Sequence, residues 1–291
     1  MLECVVNVSE GRDPALVRRL AGAGAPLVLD VHSDAAHHRS VITMAGPPGE
    51  LEEAVRRLAV AVVQSVDIGH HEGAHPRIGA LDVVPWVELA PAAAPATGAT
   101  ATATGATQAA VGARDRFARW AGDTLELPCF LYGPERTLPE VRRRAWKDLL
   151  PDTGPRTVHP SAGAAAVGAR GVLVAYNLWL AEAALELARR IAAELRGPAL
   201  RTLALDVGGA VQVSCNLIDP WRLGPEVVFD AVASRGEIAR AELVGLVPAA
   251  VLGAIPSSRH AELGLEPSST IEARLEEAGP DGGSLPAGPG D

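Results

Sequence analysis

Aromatic residues are scarce in this sequence, at 3% of its 291 residues. A buried core must therefore be built from Val, Leu, Ala and Ile, and the 48% of hydrophobic residues excludes global disorder. Basic residues are also fewer than acidic ones, because the chain has 26 Lys and Arg residues but 35 Asp and Glu residues, which gives a net charge of −9. We therefore expect no nucleic-acid partner, although arginines that gather locally could bind an anionic substrate.

Cysteine is rare too, and Cys4, Cys129 and Cys215 lie far apart along the chain. They offer neither a disulfide framework nor the paired spacing of a zinc site, so we expect a reducing, cytoplasmic environment. The N-terminus lacks the basic and apolar segments of a signal peptide. The most apolar stretch, residues 171–187, carries Asn177 and two glutamates, so we expect no membrane span.

Apolar periodicity predicts the same order of elements in both halves of the chain. The first set comprises strands at residues 2–8, 27–32, 39–45 and 80–89, with helices at 13–21 and 50–66. The second set comprises strands at 171–177, 201–207, 211–218 and 242–247, a helix at 184–195 and another opened by Pro225. Each half thus predicts a β-α-β-β-α-β ferredoxin-like subdomain in an α/β (α+β) protein. We expect the two sheets to pack back to back, with a groove between the subdomains.

The predicted boundaries follow this repeat. Residues 1–169 would form an N-terminal subdomain, residues 170–278 a C-terminal subdomain and residues 279–291 a disordered tail. The Ala/Thr/Pro-rich stretch 90–105 predicts a flexible connection. A helix at 109–120, a strand at 129–132 and a helix at 138–150 follow it. Pro85 predicts that the strand at 80–89 is an edge strand or contains a bulge.

The stretch at residues 69–82 contains the letters HEGAH, which match the H-E-x-x-H pattern of zinc peptidases. That pattern binds zinc only on a helix, where His71 and His75 would lie one turn apart. Pro76 pushes His75 out of the helical region, and Gly73 weakens a helix further. We therefore predict a non-helical loop without a metal.

Most of the histidines fall in two places at the same side of the predicted strands. They are His32, His37, His38, His70, His71 and His75. Histidine is the natural proton carrier near neutral pH, so acid–base chemistry is one interpretation of these clusters. The alternative is that they are solvated loop histidines.

Five segments resemble the glutamate formimidoyltransferase family in sequence and order. They are ECVVNVSEGRD, HHEGAHPRIGALDVVPW, GPRTVHPSAGAAAVGAR, VQVSCNLID and ELVGLVP, and the similarity runs from about residue 2 to 250. This family, which is also the first module of formimidoyltransferase-cyclodeaminase, moves a formimidoyl group from N-formimidoyl-L-glutamate to tetrahydrofolate in histidine breakdown. The resemblance implies two α/β subdomains around a groove, tetrahydrofolate as co-substrate, no metal and a homodimer.

The resemblance also implies roles for single residues. His75 would be the catalytic histidine, and a pKa of about 7 would let it take a proton from tetrahydrofolate and return it to the leaving nitrogen. Asp82 and Asp30 are the candidate carboxylate partners of its ring. Arg39 and Arg77 would hold substrate carboxylates by forked hydrogen bonds, unless they form ordinary surface salt bridges.

Two more segments are candidates for substrate binding. Asn7 and Glu10 could bind polar ends of the substrate or merely shape the turn after the first strand, where Gly11 would give backbone clearance. The folate-contacting tract of the family resembles Gly154, Pro155, Arg156, Thr157, Val158, His159, Pro160, Ser161, Ala162 and Gly163. The alternative for this tract is a plain interdomain linker. His159 and Ala162 replace an aliphatic residue and a tryptophan of the bifunctional enzyme, so a stacking surface is missing.

Three other functions stay open at this point. A relative could transfer a formyl group or use 5-formyltetrahydrofolate. A folate-binding protein could have lost its activity. A metal hydrolase is disfavoured by the proline that follows His75.

Overall fold

The computed structural model describes residues 1–89 and 105–279. Most of the predicted flexible connection and all but the first residue of the predicted tail lie outside this part of the chain. The chain divides into two compact units, which contain Met1–Gly171 and Val172–Glu277. The assignment of functional subdomains to 1–169 and 170–278 stays a prediction.

The first unit begins with the predicted order of elements. They are β1 (Leu2–Val8), α1 (Pro14–Gly24), β2 (Val28–Asp34), β3 (Arg39–Gly46), α2 (Pro48–Ser65) and β4 (Leu81–Glu88). The unit continues with α3 (Gln108–Thr124), β5 (Cys129–Tyr132), α4 (Leu138–Arg144) and β6 (Ala165–Arg170). The sheet order is β2-β3-β1-β4-β6-β5, in which β4, β6 and β5 run parallel.

Local sequence explains why the first two helices form where they do. The Asp13 side chain accepts hydrogen bonds from the backbone N–H groups of Ala15 and Leu16, so α1 begins as predicted at Pro14. In α2 the apolar face predicted by periodicity is buried in the core of the unit; its members are Leu51, Ala54, Val55, Leu58 and Val62. Full burial of one such leucine or valine contributes roughly 1.5–3 kcal/mol, so this face fixes the helix on the sheet.

The second unit repeats the first six elements. They are β7 (Val174–Leu180), α5 (Leu185–Leu195), β8 (Leu200–Val207), β9 (Ala210–Leu217), α6 (Pro225–Ala233) and β10 (Ile238–Val244), followed by α7 (Ala249–Gly253) and α8 (Ile271–Ala278). Gly208 and Gly209 join β8 to β9 with φ values of +65° and +90°. These values are those of a type I′ turn, which confirms the predicted hairpin.

The strand orders β2-β3-β1-β4 and β10-β7-β9-β8 are equivalent, and both are antiparallel. Two ferredoxin-like α/β units are therefore present, which confirms the predicted fold class. The packing of the two sheets against each other stays a prediction. No helix in the described part of the chain has both the length and the apolar character that a bilayer span requires.

The two alternatives for β4 are decided, and two other details of the sequence prediction were wrong. β4 is not an edge strand, because it lies between β1 and β6, so the alternative that the strand contains a bulge is confirmed. The irregularity in β4 lies opposite the step from Asn7 to Val8, where Asp82 is the extra residue. The predicted helix at 138–150 ends at Arg144, and β6 was not predicted because its run of alanines carries little periodicity.

Candidate active site

Three connections of the first unit meet at one end of its sheet. They are the turn after β1, the β2–β3 hairpin at residues 35–38 and the histidine loop, which we define as residues 66–80 between α2 and β4. The Ala74 amide donates a hydrogen bond to the Ala36 carbonyl at 3.2 Å, which joins the loop to the hairpin. A Cβ on Gly73 would overlap the His37 carbonyl, so this close approach requires glycine.

The histidine loop contains no α-helix, which confirms the prediction made from Pro76. A single 3₁₀ turn spans Ile68–His70, and His71 then adopts an extended conformation with φ −89° and ψ 124°. The loop is fixed at both ends by backbone hydrogen bonds, from Ile68 N to Ser161 O at 2.7 Å and from Ala80 N to Ala162 O at 2.9 Å. Within residues 1–89 and 105–279, no three His, Cys, Asp or Glu side chains are grouped closely enough to hold a metal ion.

Asp82 is the buried carboxylate at the centre of the site, with 0% of its surface exposed. Its Oδ1 accepts the Ile78 N–H at 2.7 Å. Its Oδ2 accepts hydrogen bonds from Arg39 and Arg142, each at 2.7 Å. Burial acts to raise the pKa of Asp82, but the two guanidinium groups and the Ile78 N–H lower it to about 2. Two cations thus share one anion, which leaves one net positive charge.

Arg39 is held in place from a second side. Its guanidinium donates to Asn7 Oδ1 from Nε at 3.2 Å and from Nη2 at 2.9 Å. The Asn7 amide group is oriented in turn by its own hydrogen bond to the Val5 carbonyl at 2.8 Å. Because the Arg39 and Asp82 side chains are only 10% and 0% exposed, the alternative of an ordinary surface salt bridge is wrong for Arg39.

His75 is half-buried beside this charged group. Its Nδ1 lies 2.7 Å from the Pro76 carbonyl oxygen. A carbonyl can only accept, so this hydrogen bond assigns the proton to Nδ1 and the lone pair to Nε2. A backbone carbonyl therefore orients the ring at Nδ1, whereas Asp82 acts on His75 through its charge.

The pKa of His75 is lowered to about 3, first by burial of the ring and then by the positive charges of Arg39 and Arg142. Asp82 and the Pro76 carbonyl act in the opposite direction. The expected pKa of about 7 is therefore wrong for the protein without substrate, because that expectation took no account of two nearby arginines. The imidazole is therefore neutral at physiological pH, with Nε2 unprotonated.

Three of the other predicted histidines are packed into the site. The rings of His38 and His71 are stacked, with their centroids 3.9 Å apart, and His38 Nε2 lies 3.4 Å from Glu10 Oε1. His37 Nδ1 is 3.0 Å from a carboxylate oxygen of Asp34. His70, by contrast, is 93% exposed at its side chain, so the solvated-loop alternative describes this residue.

Glu10 and Arg77 both stabilise the local backbone. Glu10 Oε1 accepts the N–H groups of Arg12 at 2.7 Å and Asp13 at 3.0 Å. Partial burial would raise the pKa of Glu10, but these N–H groups outweigh it and the pKa is lowered. Arg77 donates to the carbonyls of His71 and Gly73, which closes the histidine loop on itself. The alternative that Glu10 shapes the turn is thus confirmed, and binding of substrate by either residue stays a prediction.

The tract at residues 154–163 consists of two parts. Residues 156–158 are exposed, and Val158 shows 54% of its surface. Ala162 is fully buried in the core and Gly163, at φ +72°, lies against the Ile78 carbonyl. Because the tract lies inside the first unit and anchors the histidine loop, the alternative of an interdomain linker is wrong.

Sequence reasoning missed Arg142, which lies on α4 and contacts both Asp82 and Pro76. The sequence did carry a signal for its element. Thr137 and Glu140 form a capping box at the start of α4, and three consecutive arginines follow. The packing of α4 on the rest of the unit decides which of the three arginines faces the site. The pattern of charges in the sequence does not predict this packing.

Comparison with known proteins adds a family relationship. Residues 1–170 match the family model described as formiminotransferase domain, N-terminal subdomain. A glutamate formimidoyltransferase of Streptococcus pyogenes serotype M1 is 30% identical over 87% of this chain and 90% of its own length. One of Thermoplasma acidophilum is 30% identical over 96% of this chain and 98% of its own length. The formimidoyltransferase-cyclodeaminase of Sus scrofa is 33% identical over 85% of this chain, but the match spans 50% of that protein.

Proposed function

This chain belongs to the formiminotransferase family, and on that premise we propose that it transfers a formimidoyl group between N-formimidoyl-L-glutamate and tetrahydrofolate. We assign the general acid–base role to His75. The observation that supports this role is the hydrogen bond from Nδ1 to Pro76, which leaves the Nε2 lone pair as a base beside a net positive group.

The charge of the site fits an anionic substrate. Arg39 and Arg142 share the single carboxylate of Asp82, so a second carboxylate would find a favourable potential there. Formimidoylglutamate carries two carboxylates. We propose that Arg39 and Arg77 bind them, with Asn7, Glu10 and Asp82 holding the surrounding groups in position.

The reaction requires one proton to move. Tetrahydrofolate supplies the nitrogen nucleophile, whose bond to the amidine carbon forms before the bond from that carbon to the glutamate nitrogen breaks. His75 Nε2 accepts the proton that the attacking nitrogen loses. The imidazolium so formed is disfavoured by Arg39 and Arg142, so it returns the proton readily to the departing nitrogen.

Binding of the donor would also adjust His75. A substrate carboxylate bound by Arg39 would offset part of the positive charge that lowers the pKa of His75. The pKa of His75 then rises, because the positive charges contribute to its lowering together with burial of the ring. Binding of the anionic substrate would therefore make His75 a stronger base than it is in the protein without substrate.

The tract at 154–163 is the proposed folate contact. Its exposed part offers an apolar surface at Val158 next to the cationic Arg156. Its buried part, which ends at Gly163, holds the histidine loop by backbone hydrogen bonds and close contacts. The proposal retains from the family resemblance a cytoplasmic homodimer, in which residues 1–169 and 170–278 form the two functional subdomains.

A spectrophotometric assay with both one-carbon donors tests this function. Tetrahydrofolate is offered together with formimidoylglutamate and a formyl donor at equal concentrations, with and without a metal chelator. We expect transfer from formimidoylglutamate at a rate that the chelator leaves unchanged. Exclusive formyl transfer, or folate binding in calorimetry without turnover, would favour the alternatives and reject the proposal.

A further inference from the structure

Arg142 connects the catalytic loop to the buried carboxylate. Its Nη1 donates to the Pro76 carbonyl at 2.7 Å, and its Nη2 donates to Asp82 Oδ2 at 2.7 Å. The Pro76 carbonyl is the same acceptor that receives the His75 Nδ1 proton at 2.7 Å. Both lone pairs of this oxygen are thereby used, one by the guanidinium group and one by the imidazole ring.

We propose that Arg142 is a positioning residue, which fixes the orientation and the tautomer of His75 through the Pro76 carbonyl. The inference rests on the proposed role of His75 as the proton carrier. A loop carbonyl without a second anchor could rotate, and Nδ1 would then lose its fixed acceptor. With Arg142 in place, the proton stays on Nδ1 and Nε2 keeps the lone pair that the reaction requires.

The helix that carries Arg142 is well supported. The Thr137 and Glu140 side chains form the capping box of α4, and Val141 is fully buried against the sheet. Its neighbour Arg144 pairs instead with Asp148 at an exposed position. Arg143 and Arg144 are both exposed, whereas Arg142 is half-buried and contacts Asp82, so Arg143 is a matched control.

The charged groups around His75 come from four places. Arg39 lies on β3, Asp82 on β4 and Arg142 on α4, and Arg77 belongs to the loop itself. The ring of His37, which is paired with Asp34, lies 6.4 Å from the His75 ring. Loss of Arg142 removes a positive charge that disfavours the imidazolium, so the pKa of His75 must rise.

Nitrogen NMR of His75 across a pH titration tests the proposal without substrate. We expect Arg142→Met to raise the pKa by about one unit or more and to mix the two neutral tautomers. Arg142→Lys keeps the charge but not the forked geometry, so the pKa should stay low while the tautomers mix. Arg143→Met should match the wild type in both readouts.

Steady-state kinetics provide the second readout. Arg142→Met should lower kcat by about 10- to 100-fold with a smaller change in KM, because a misplaced base slows chemistry more than binding. An Arg142→Met or Arg142→Lys protein with the wild-type tautomer of His75 would overturn the proposal. If the wild type transfers no formimidoyl group, the proposed function fails, while the NMR result still decides the role of Arg142.

Discussion

The two units share one frame but differ in the connections between its elements. In the first unit, residues 66–80 lead from α2 to β4, and this connection is the histidine loop. In the second unit, residues 234–237 alone lead from α6 to β10. Since the flanking helices and strands correspond, the long connection is an elaboration of the first unit rather than a requirement of the fold.

The hairpins show the same contrast. The β8–β9 hairpin closes through Gly208 and Gly209, which is the shortest usual solution. The β2–β3 hairpin uses residues 35–38 and forces His38 to a positive φ of +49°, which is uncommon for a residue with a side chain. That geometry stacks His38 on His71. The proposed base and the histidines around it therefore lie in connections, which the strands and helices of a common frame hold in place.

Neutralising the buried carboxylate should have the largest effect on stability. Asp82→Asn leaves Arg39 and Arg142 without their shared anion, and we expect a loss of about 3–5 kcal/mol in the free energy of unfolding. Urea denaturation measures it. The control is Asp148→Asn, which breaks the exposed pair with Arg144 and should cost less than about 1 kcal/mol. Equal losses in the two variants would contradict the claim that Asp82 is the buried anion that holds Arg39 and Arg142 in place.

Crowding the histidine loop should affect activity more than folding. Gly73→Ala places a methyl group against the His37 carbonyl, so the loop must shift away from the hairpin. A displacement of this kind near the base should lower turnover by about 100-fold. Gly22→Ala is the control, because a Cβ there meets nothing within 4 Å, and it should keep full turnover. Wild-type turnover in Gly73→Ala would mean that the loop position is not critical.

A glycine substitution in the β8–β9 hairpin of the second unit should have the smallest effect. Gly208→Ala puts a side chain at φ +65°, which costs about 1–2 kcal/mol in the free energy of unfolding. Turnover should stay at the wild-type level below the unfolding transition. Gly197→Ala, where a Cβ meets nothing within 4 Å, should match the wild type in both measurements. A loss of turnover at 25 °C in folded Gly208→Ala protein would show that the second hairpin also contributes to the site.

Local sequence predicted those features that depend on neighbours along the chain. Asp13 and Pro14 marked the start of α1, and the periodic apolar residues of α2 marked its buried face. Pro76 excluded a helical histidine motif because its effect on the preceding residue is steric and independent of tertiary structure. Because these signals depend only on neighbouring residues, they can be interpreted without knowledge of the fold.

Features that depend on distant residues were not predictable in the same way. Pro85 indicated either an edge strand or a bulge, and the sequence did not exclude the edge, because no local signal predicted that β6 pairs with β4 in parallel. The lowered pKa of His75 comes from burial and from Arg39 and Arg142, which are far from it in sequence. Arg142 itself was missed because only the packing of α4 selects it from three consecutive arginines.

The central claim is that the half-buried, hydrogen-bonded imidazole of His75 carries the proton. A comparison of two histidines of one loop tests it most directly. Turnover of formimidoylglutamate and tetrahydrofolate is measured for the wild type, His75→Ala and His70→Ala. We predict that His75→Ala loses at least about 100-fold, as expected for removal of a general base. His70, which is exposed, should be replaceable without loss. Unchanged turnover in a folded His75→Ala protein would contradict the account.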